Sequence, residues 1–237
     1  SLFNFPASDS TGRFVKAALA GKSSTVASAQ ADWNARIRAV SPASVDAPFV
    51  SNHDMARARG MLRSKVPNEK AAALLYLLMP GVPTVYYGEE LGMSGSGSDE
   101  NKRLPMVWSS DAATQCKAPA AADQAQRLTD GVAEQDSDPD SLLNWYRQLI
   151  ALRNLAPELT RGEMTALDGG NDAICAYTVT DAGSTVAIIS NVSQKDTLTV
   201  SLDVLRGAEL LGGIGGAAFA DGTANLPPLS GIIVRLP

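Results

Sequence analysis

Apolar residues follow two different rhythms along this chain, and the change between them divides it. Val26, Ala29, Trp33, Ile37 and Val40 recur at three- and four-residue spacing and predict a helix. The short segment 47–51 (APFVS) then reads as a buried strand. A second helix follows, with Asn68 as its expected N-cap, Glu69 in its electropositive first turn, and Pro80-Gly81 as its stop. Residues 84–87 (TVYY) are β-branched and aromatic and end at Gly88, so 47–87 reads as one βαβ unit. Periodicity fades over 88–137, a stretch long enough to be either disordered or a functional loop. Asp138-Pro139 is expected to open a further helix, with Leu142, Tyr146, Leu149, Ile150 and Leu155 on its apolar side and Pro157 beyond its end. Alternating helices and strands of this kind predict a parallel sheet with crossover helices.

Beyond Gly162 the period becomes two. Cys175, Tyr177 and Val179 share one face, as do Leu198, Val200 and Leu202, and Ile232, Val234 and Leu236. Asp-Gly and Gly-Gly turns separate these runs, which predicts an antiparallel β-sandwich and places a domain boundary near residue 160, dividing the chain into 1–160 and 161–237.

Composition narrows the function classes. The chain has 237 residues, with 20 Lys and Arg against 25 Asp and Glu and a formal charge of −5, so no nucleic-acid partner is expected. Its longest apolar run, Ala71 to Met79, is far short of the roughly 20 residues of a membrane span. One histidine, His53, and two cysteines, Cys116 and Cys175, exclude His- or Cys-rich zinc sites and any catalytic triad not built on His53. Ser1 is followed by neither a basic nor a long apolar stretch, so no signal peptide is visible.

In parallel α/β folds the working groups stand past the C-terminal ends of the strands. Those positions are Asn52, His53 and Asp54 after the first strand, and Gly88, Glu89 and Glu90 after the second. Carboxylates so placed suit glycoside cleavage, in which one acid protonates the leaving oxygen and a carboxylate attacks or stabilises the oxocarbenium centre. Spacing alone favours the plainer reading, in which Asp54 caps the next helix and both glutamates are solvated. Other motifs are weak. Ala20-Gly21-Lys22-Ser23 resembles the end of a phosphate loop but lacks the upstream glycine, and Asn191-Val192-Ser193 has the form of a glycosylation acceptor.

The words themselves carry more than the spacing. Phe49-Val50-Ser51-Asn52-His53-Asp54 resembles the F-x-x-N-H-D segment at the seventh barrel strand of the α-amylase family, glycoside hydrolase family 13. The run from Leu78 to Met93 (LMPGVPTVYYGEELGM) resembles its eighth-strand segment, and Arg103-Leu104-Pro105-Met106-Val107-Trp108 its R-x-P-M-x-W loop. Asp138 to Arg153 is similar to its last barrel helix, and Leu226 to Leu236 to the last strand of its C-terminal domain. The resemblance implies an α/β fold: the C-terminal part of a (β/α)8 TIM barrel followed by an all-β antiparallel sandwich. It implies α-glucans, starch or maltooligosaccharides, as substrates of a retaining mechanism. Asp54 matches the carboxylate that stabilises the transition state, His53 the histidine that bonds the same sugar, and Arg57 a substrate-side arginine. Asn52 shapes the strand end, and Glu89 and Glu90 match positions that tie loops together.

The family's nucleophile and general acid, an Asp in a G-F-R-x-D segment and a later Glu, have no counterpart here; Gly12-Arg13-Phe14 lacks the Asp. The chain is therefore expected to be a C-terminal fragment, inactive alone, whose open sheet edges call for the missing half of the barrel or a second chain. No cofactor is expected in this chain, calcium being possible in the missing part, and an extracellular or cell-surface setting is favoured because polymeric glucans do not enter cells. Alternatives are an α-1,6-glucosidase or transglycosylase of the same family, or a non-catalytic α-glucan-binding relative. A sandwich built for starch binding is disfavoured because Tyr177 and Phe219 are its only aromatics.

Overall fold

The computed structural model describes residues 1–126 and 128–237. The chain opens with strand β1 (Leu2–Phe3), then helices α1 (Arg13–Ala20) and α2 (Val26–Val40), and strand β2 (Asp46–Ala47). β1 and β2 pair in parallel, Leu2 opposite Asp46 and Phe3 opposite Ala47. Helix α3 (Ala58–Met61) is one turn, and α4 (Val66–Leu78) is buried along most of its length. Segment 82–84 lies on the far side of β2: Val82 N–H donates to Asp46 O at 2.8 Å and Thr84 N–H to Pro48 O at 2.9 Å. This alternation is that of a parallel neighbour. Pro83 turns the position that lacks an N–H away from β2, as edge prolines do.

The expected strands at 47–51 and 84–87 are thus extended backbone tied by a few bonds, with β2 the one regular strand of the pair. Gly81 makes the approach possible. At φ +117° it lies so close to β2 that a Cβ would stand 2.2 Å from Asp46 O.

Two helix starts differ from expectation. Helix α4 begins at Val66 behind Lys65, with Pro67 in its first turn, because proline has no N–H to leave unpaired there and its φ is already helical. Asn68 is released from capping and donates to Leu62 O at 2.9 Å. Helix α7 (Leu142–Asn154) begins behind Ser141, whose hydroxyl accepts from Asn144 N–H at 3.1 Å, while Asp138 accepts from Asp140 N–H in the turn before it. Ile150 and Leu155 are exposed. Between lie the short helices α5 (Asp99–Lys102) and α6 (Val132–Ser137) in an otherwise irregular excursion.

From Glu163 the strands are β3 (Glu163–Leu167), β4 (Ile174–Asp181), β5 (Ser184–Asn191), β6 (Leu198–Ser201), β7 (Glu209–Ile214), β8 (Ala218–Ala220), β9 (Thr223–Leu226) and β10 (Ser230–Arg235). They form a five-stranded sheet, β3-β4-β5-β10-β7, and a three-stranded sheet, β6-β9-β8, all antiparallel. Asp221-Gly222 and Ala182-Gly183 turn their hairpins with both residues at positive φ, the twist that matches paired strands. Ile174, Ala176, Ile189, Ile232 and Val234 face Val200, Ala224 and Leu226 between the sheets. The opposite face of the larger sheet, with Cys175, Tyr177, Val179, Ile188 and Ile233, packs on Leu74, Tyr146 and Leu149 in one core with α4 and α7. The molecule is therefore layered as helices, five strands and three strands, and its main core runs across residue 160.

Polar contacts stitch the same seam. Tyr177 Oη donates to Leu78 O at 2.8 Å, and Gln194 Nε2 to Asn68 Oδ1 at 2.7 Å. Ser23 Oγ donates to Ala173 O at 3.0 Å beside the Lys22–Asp172 ion pair, and Gly21 at φ +64° ends α1, so Ala20 to Ser23 is a helix terminus and docking turn. Asn191 is fully buried and its amide donates to Asp196, Leu226 and Pro227 carbonyls, which removes it as a glycosylation acceptor.

Candidate functional site

The strand end that carries the candidate residues is held from behind. Phe49, Val50 and Ser51 are buried, and the chain reaches the surface at Asn52. Asn52 Oδ1 accepts from Asp54 N–H at 2.9 Å, closing a turn that fits its expected strand-end role. His53 Nε2 stands 3.3 Å from Asp54 Oδ1, with the two side chains 60% and 63% exposed. They border a cavity of about 190 Å³ whose walls include Phe3, Phe5, Phe49, Ser51 and Tyr86. Phe49 meets Phe3 and Phe5 edge to face, each at 5.3 Å between ring centres. Asp54 is the one carboxylate among the described residues lining this cavity. A larger polar cleft of about 700 Å³, with Arg59, Ser64 and Gln124 in its walls, contains none of Asn52, His53 and Asp54.

The loop beyond α5 closes over the same turn. Lys102 Nζ donates to Asp54 O at 3.0 Å and to Asp99 Oδ1 at 3.1 Å. The bond from Lys102 and the charge of Arg103 hold Asp99 below the usual carboxylate range. Tyr86 Oη donates to Lys102 O at 3.1 Å and Tyr87 Oη to Leu104 O at 2.8 Å, so the R-x-P-M-x-W loop is anchored by the two tyrosines of the expected second strand.

Arg57 is placed differently from expectation. Its side chain is 1% exposed and wedged between Tyr86 and Tyr87, 4.7 Å and 4.5 Å from their ring centres, and Nη1 donates to Tyr87 O at 2.6 Å. Burial lowers its affinity for its proton, opposed by the two tyrosines. In this arrangement the guanidinium holds the tyrosine pair in place.

Glu89 is buried and Glu90 half-buried. Gly88, at φ +79°, turns the chain so tightly that a Cβ would lie 2.2 Å from Met93 Sδ, and this turn drives Glu89 inward. Glu89 Oε2 accepts from Ser51 Oγ at 2.7 Å, and Oε1 accepts from Tyr76 Oη at 2.8 Å and Tyr146 Oη at 3.0 Å. Burial pushes this carboxyl up to about 7 against the pull of its three hydroxyl donors. It ties loops together, as the resemblance implies, from inside the core. Burial also raises Glu90. Two residues that sequence reasoning passed over help to hold this region. Arg153 donates to the carbonyls of Leu77, Met79, Gly81 and Leu159 at 2.6–3.1 Å, closing the end of α4. Asp46 accepts from Asn4 and Trp33 at 3.0 and 2.8 Å, and from Gln30, beneath β1 and β2. A basic residue near helix ends and polar residues at helical spacing in α2 were the available signals. Among the described residues no three His, Cys, Asp or Glu side chains gather to hold a metal ion, and no helix is long and apolar enough to cross a membrane.

Known proteins share the sequence and fold of this chain. The family described as alpha amylase, catalytic domain, matches residues 3–162. The solved structure of Eubacterium rectale Amy13B superposes with a TM-score of 0.90 at 32% identity, covering 99% of this chain and 48% of that one. Alpha-amylase 3 of Dictyoglomus thermophilum is 27% identical over 194 residues, 81% of this chain and 39% of that protein. A trehalose synthase of Thermus thermophilus is 33% identical over 133 residues, 51% of this chain and 14% of that enzyme. The chain thus spans less than half the length of each of these three relatives. Its α/β part is the C-terminal portion of a (β/α)8 barrel followed by a β-sandwich, and by the reach of the catalytic-domain match the chain belongs to the alpha-amylase family.

Proposed function

We propose that this chain carries one corner of a retaining α-glucan hydrolase site, in which Asp54 stabilises the oxocarbenium-like transition state and His53 bonds the same sugar. The observation that carries this reading is the solvent-facing His53–Asp54 pair, 3.3 Å apart, at the rim of the aromatic-walled cavity. A retaining mechanism needs a nucleophile and an acid about 5–5.5 Å apart. With Asp54 the single carboxylate at the cavity among the described residues, that pair comes from polypeptide outside residues 1–237. The open edges of β1 and segment 82–84, each with one strand neighbour, and the exposed Leu2, Phe3 and Val82 are where that polypeptide docks.

The test is release of reducing sugar from maltooligosaccharides. The purified chain is expected to give none, and turnover without other polypeptide overturns the division of the site. In the assembled enzyme Asp54→Asn is expected to lower kcat by at least about 10²-fold, the effect of removing a positioned charge-stabilising group; an unchanged kcat overturns the role of Asp54. The match to a trehalose synthase supports a second reading, transfer of the glycosyl unit to another sugar instead of water, which product analysis separates.

A further inference from the structure

The strand end and two helices behind it, α4 and α7, converge on one carboxylate next to the 52–54 turn. Glu89 is 4% exposed and takes a hydroxyl from each of Ser51 on the strand end, Tyr76 on α4 and Tyr146 on α7. Ser51, itself 1% exposed, immediately precedes Asn52, whose side chain closes the turn onto Asp54 N–H. We propose that Glu89 is a positioning residue for Asp54: its carboxylate holds the strand end through Ser51, and gain or loss of a proton there resets the 52–54 turn. The proposal rests on the assignment of Asp54 to the site.

The chemistry follows from counting donors. Oε1 already accepts two tyrosine hydroxyls, whereas Oε2 accepts one, so Oε2 is the atom with room for a proton from solvent. Once protonated, Oε2 becomes the donor and Ser51 Oγ the acceptor. The Ser51 proton then turns to another acceptor, and the contact fixing the strand end is reversed. Facing groups are Tyr76 from α4, Tyr146 from α7, Glu90 from the same turn and Arg57 from the loop before α3. Both tyrosines are themselves raised well above their ordinary value by burial and by Glu89, so they stay protonated and Glu89 is the group that titrates near neutrality.

The amide N–H of Asp54, which donates to Asn52 Oδ1, reports the turn by nuclear magnetic resonance without itself titrating. In the chain, its shifts followed against pH are expected to contain a step centred near the Glu89 value of about 7 that is lost in Glu89→Gln and in Ser51→Ala and kept in Ser51→Thr, which retains the hydroxyl. Curves for Glu89→Gln and Ser51→Ala that superimpose on the wild type overturn the proposal. Should Glu89→Gln not fold, Ser51→Ala and Ser51→Thr decide alone, because both leave the buried carboxylate and its tyrosines intact. Maltotriose added to the assembled enzyme is expected to displace the same signals. If it leaves them in place there while the Ser51-dependent step is present, the α-glucan reading fails and the Glu89 coupling stands.

Discussion

Strands after residue 163 pair along their lengths: β4 and β5 match from Ile174 opposite Asn191 to Asp181 opposite Ser184, and β10 lies between β5 and β7. Before it, β1 and β2 share two residue pairs and the next segment adds two backbone bonds. The second region is held by its backbone, the first by side chains reaching across it: Glu89 behind the strand end, Arg57 between two tyrosines, Arg153 at the end of α4 and Asp46 beneath β1. Hairpins meet their partners within a few residues and need little else. Parallel segments must be brought together from afar, and here the long-range bonds that do so are charged and buried. The region with the weaker ladder is also the one that presents Asp54.

This contrast can be broken where the two regions join. Arg153→Ala removes four bonds and strands the carbonyls of Leu77, Met79 and Gly81, while Leu159 O keeps the N–H of Gly81, and is expected to cost on the order of 4 kcal/mol in urea unfolding; a loss below about 1 kcal/mol would show that the backbone of α4 needs no such clamp. A second test is pH. Glu89 has a folded value of about 7 against an ordinary 4.5, so the folded state binds the extra proton between them. Its stabilising contribution is fully present below about 4.5 and is lost as pH rises through about 7, a fall of about 3 kcal/mol that Glu89→Gln should abolish. A Glu89→Gln stability profile parallel to the wild type would place the titration elsewhere. The smallest effect is expected at the seam: Tyr177→Phe removes one hydroxyl from Leu78 O and should cost about 1–2 kcal/mol, with no change in the slope of unfolding with denaturant. Two separate unfolding transitions in that variant would mean that this bond, more than the shared core, makes the regions one unit.

Much of the site was legible because it is local. Asn52, His53 and Asp54 are adjacent, the turn they form closes within two residues, and the helix stop at Pro80-Gly81 and the hairpin at Asp221-Gly222 are matters of φ and of a missing N–H. The buried face of α2 was read only in part. Val26 and Ile37 are inside as expected, Val40 is exposed, and Gln30 and Asn34 are buried because Gln30 bonds Asp46 and Asn34 in turn bonds Gln30. The burial of Arg57 was not legible, since nothing within its own segment says that Tyr86 and Tyr87 enclose it.

What the sequence determined by itself was the three longest helices, the change to antiparallel strands near residue 160, the family words and the residue types at the strand end, because periodicity and turn chemistry act over a few residues. Only the tertiary structure decided which polar groups are buried and with whom. Glu89 meets partners 13, 38 and 57 positions away, and no local pattern encodes such a meeting. The same packing joins the helices and the larger sheet in one core, because the sheet's second face is apolar and α2, α4 and α7 are the surface that covers it.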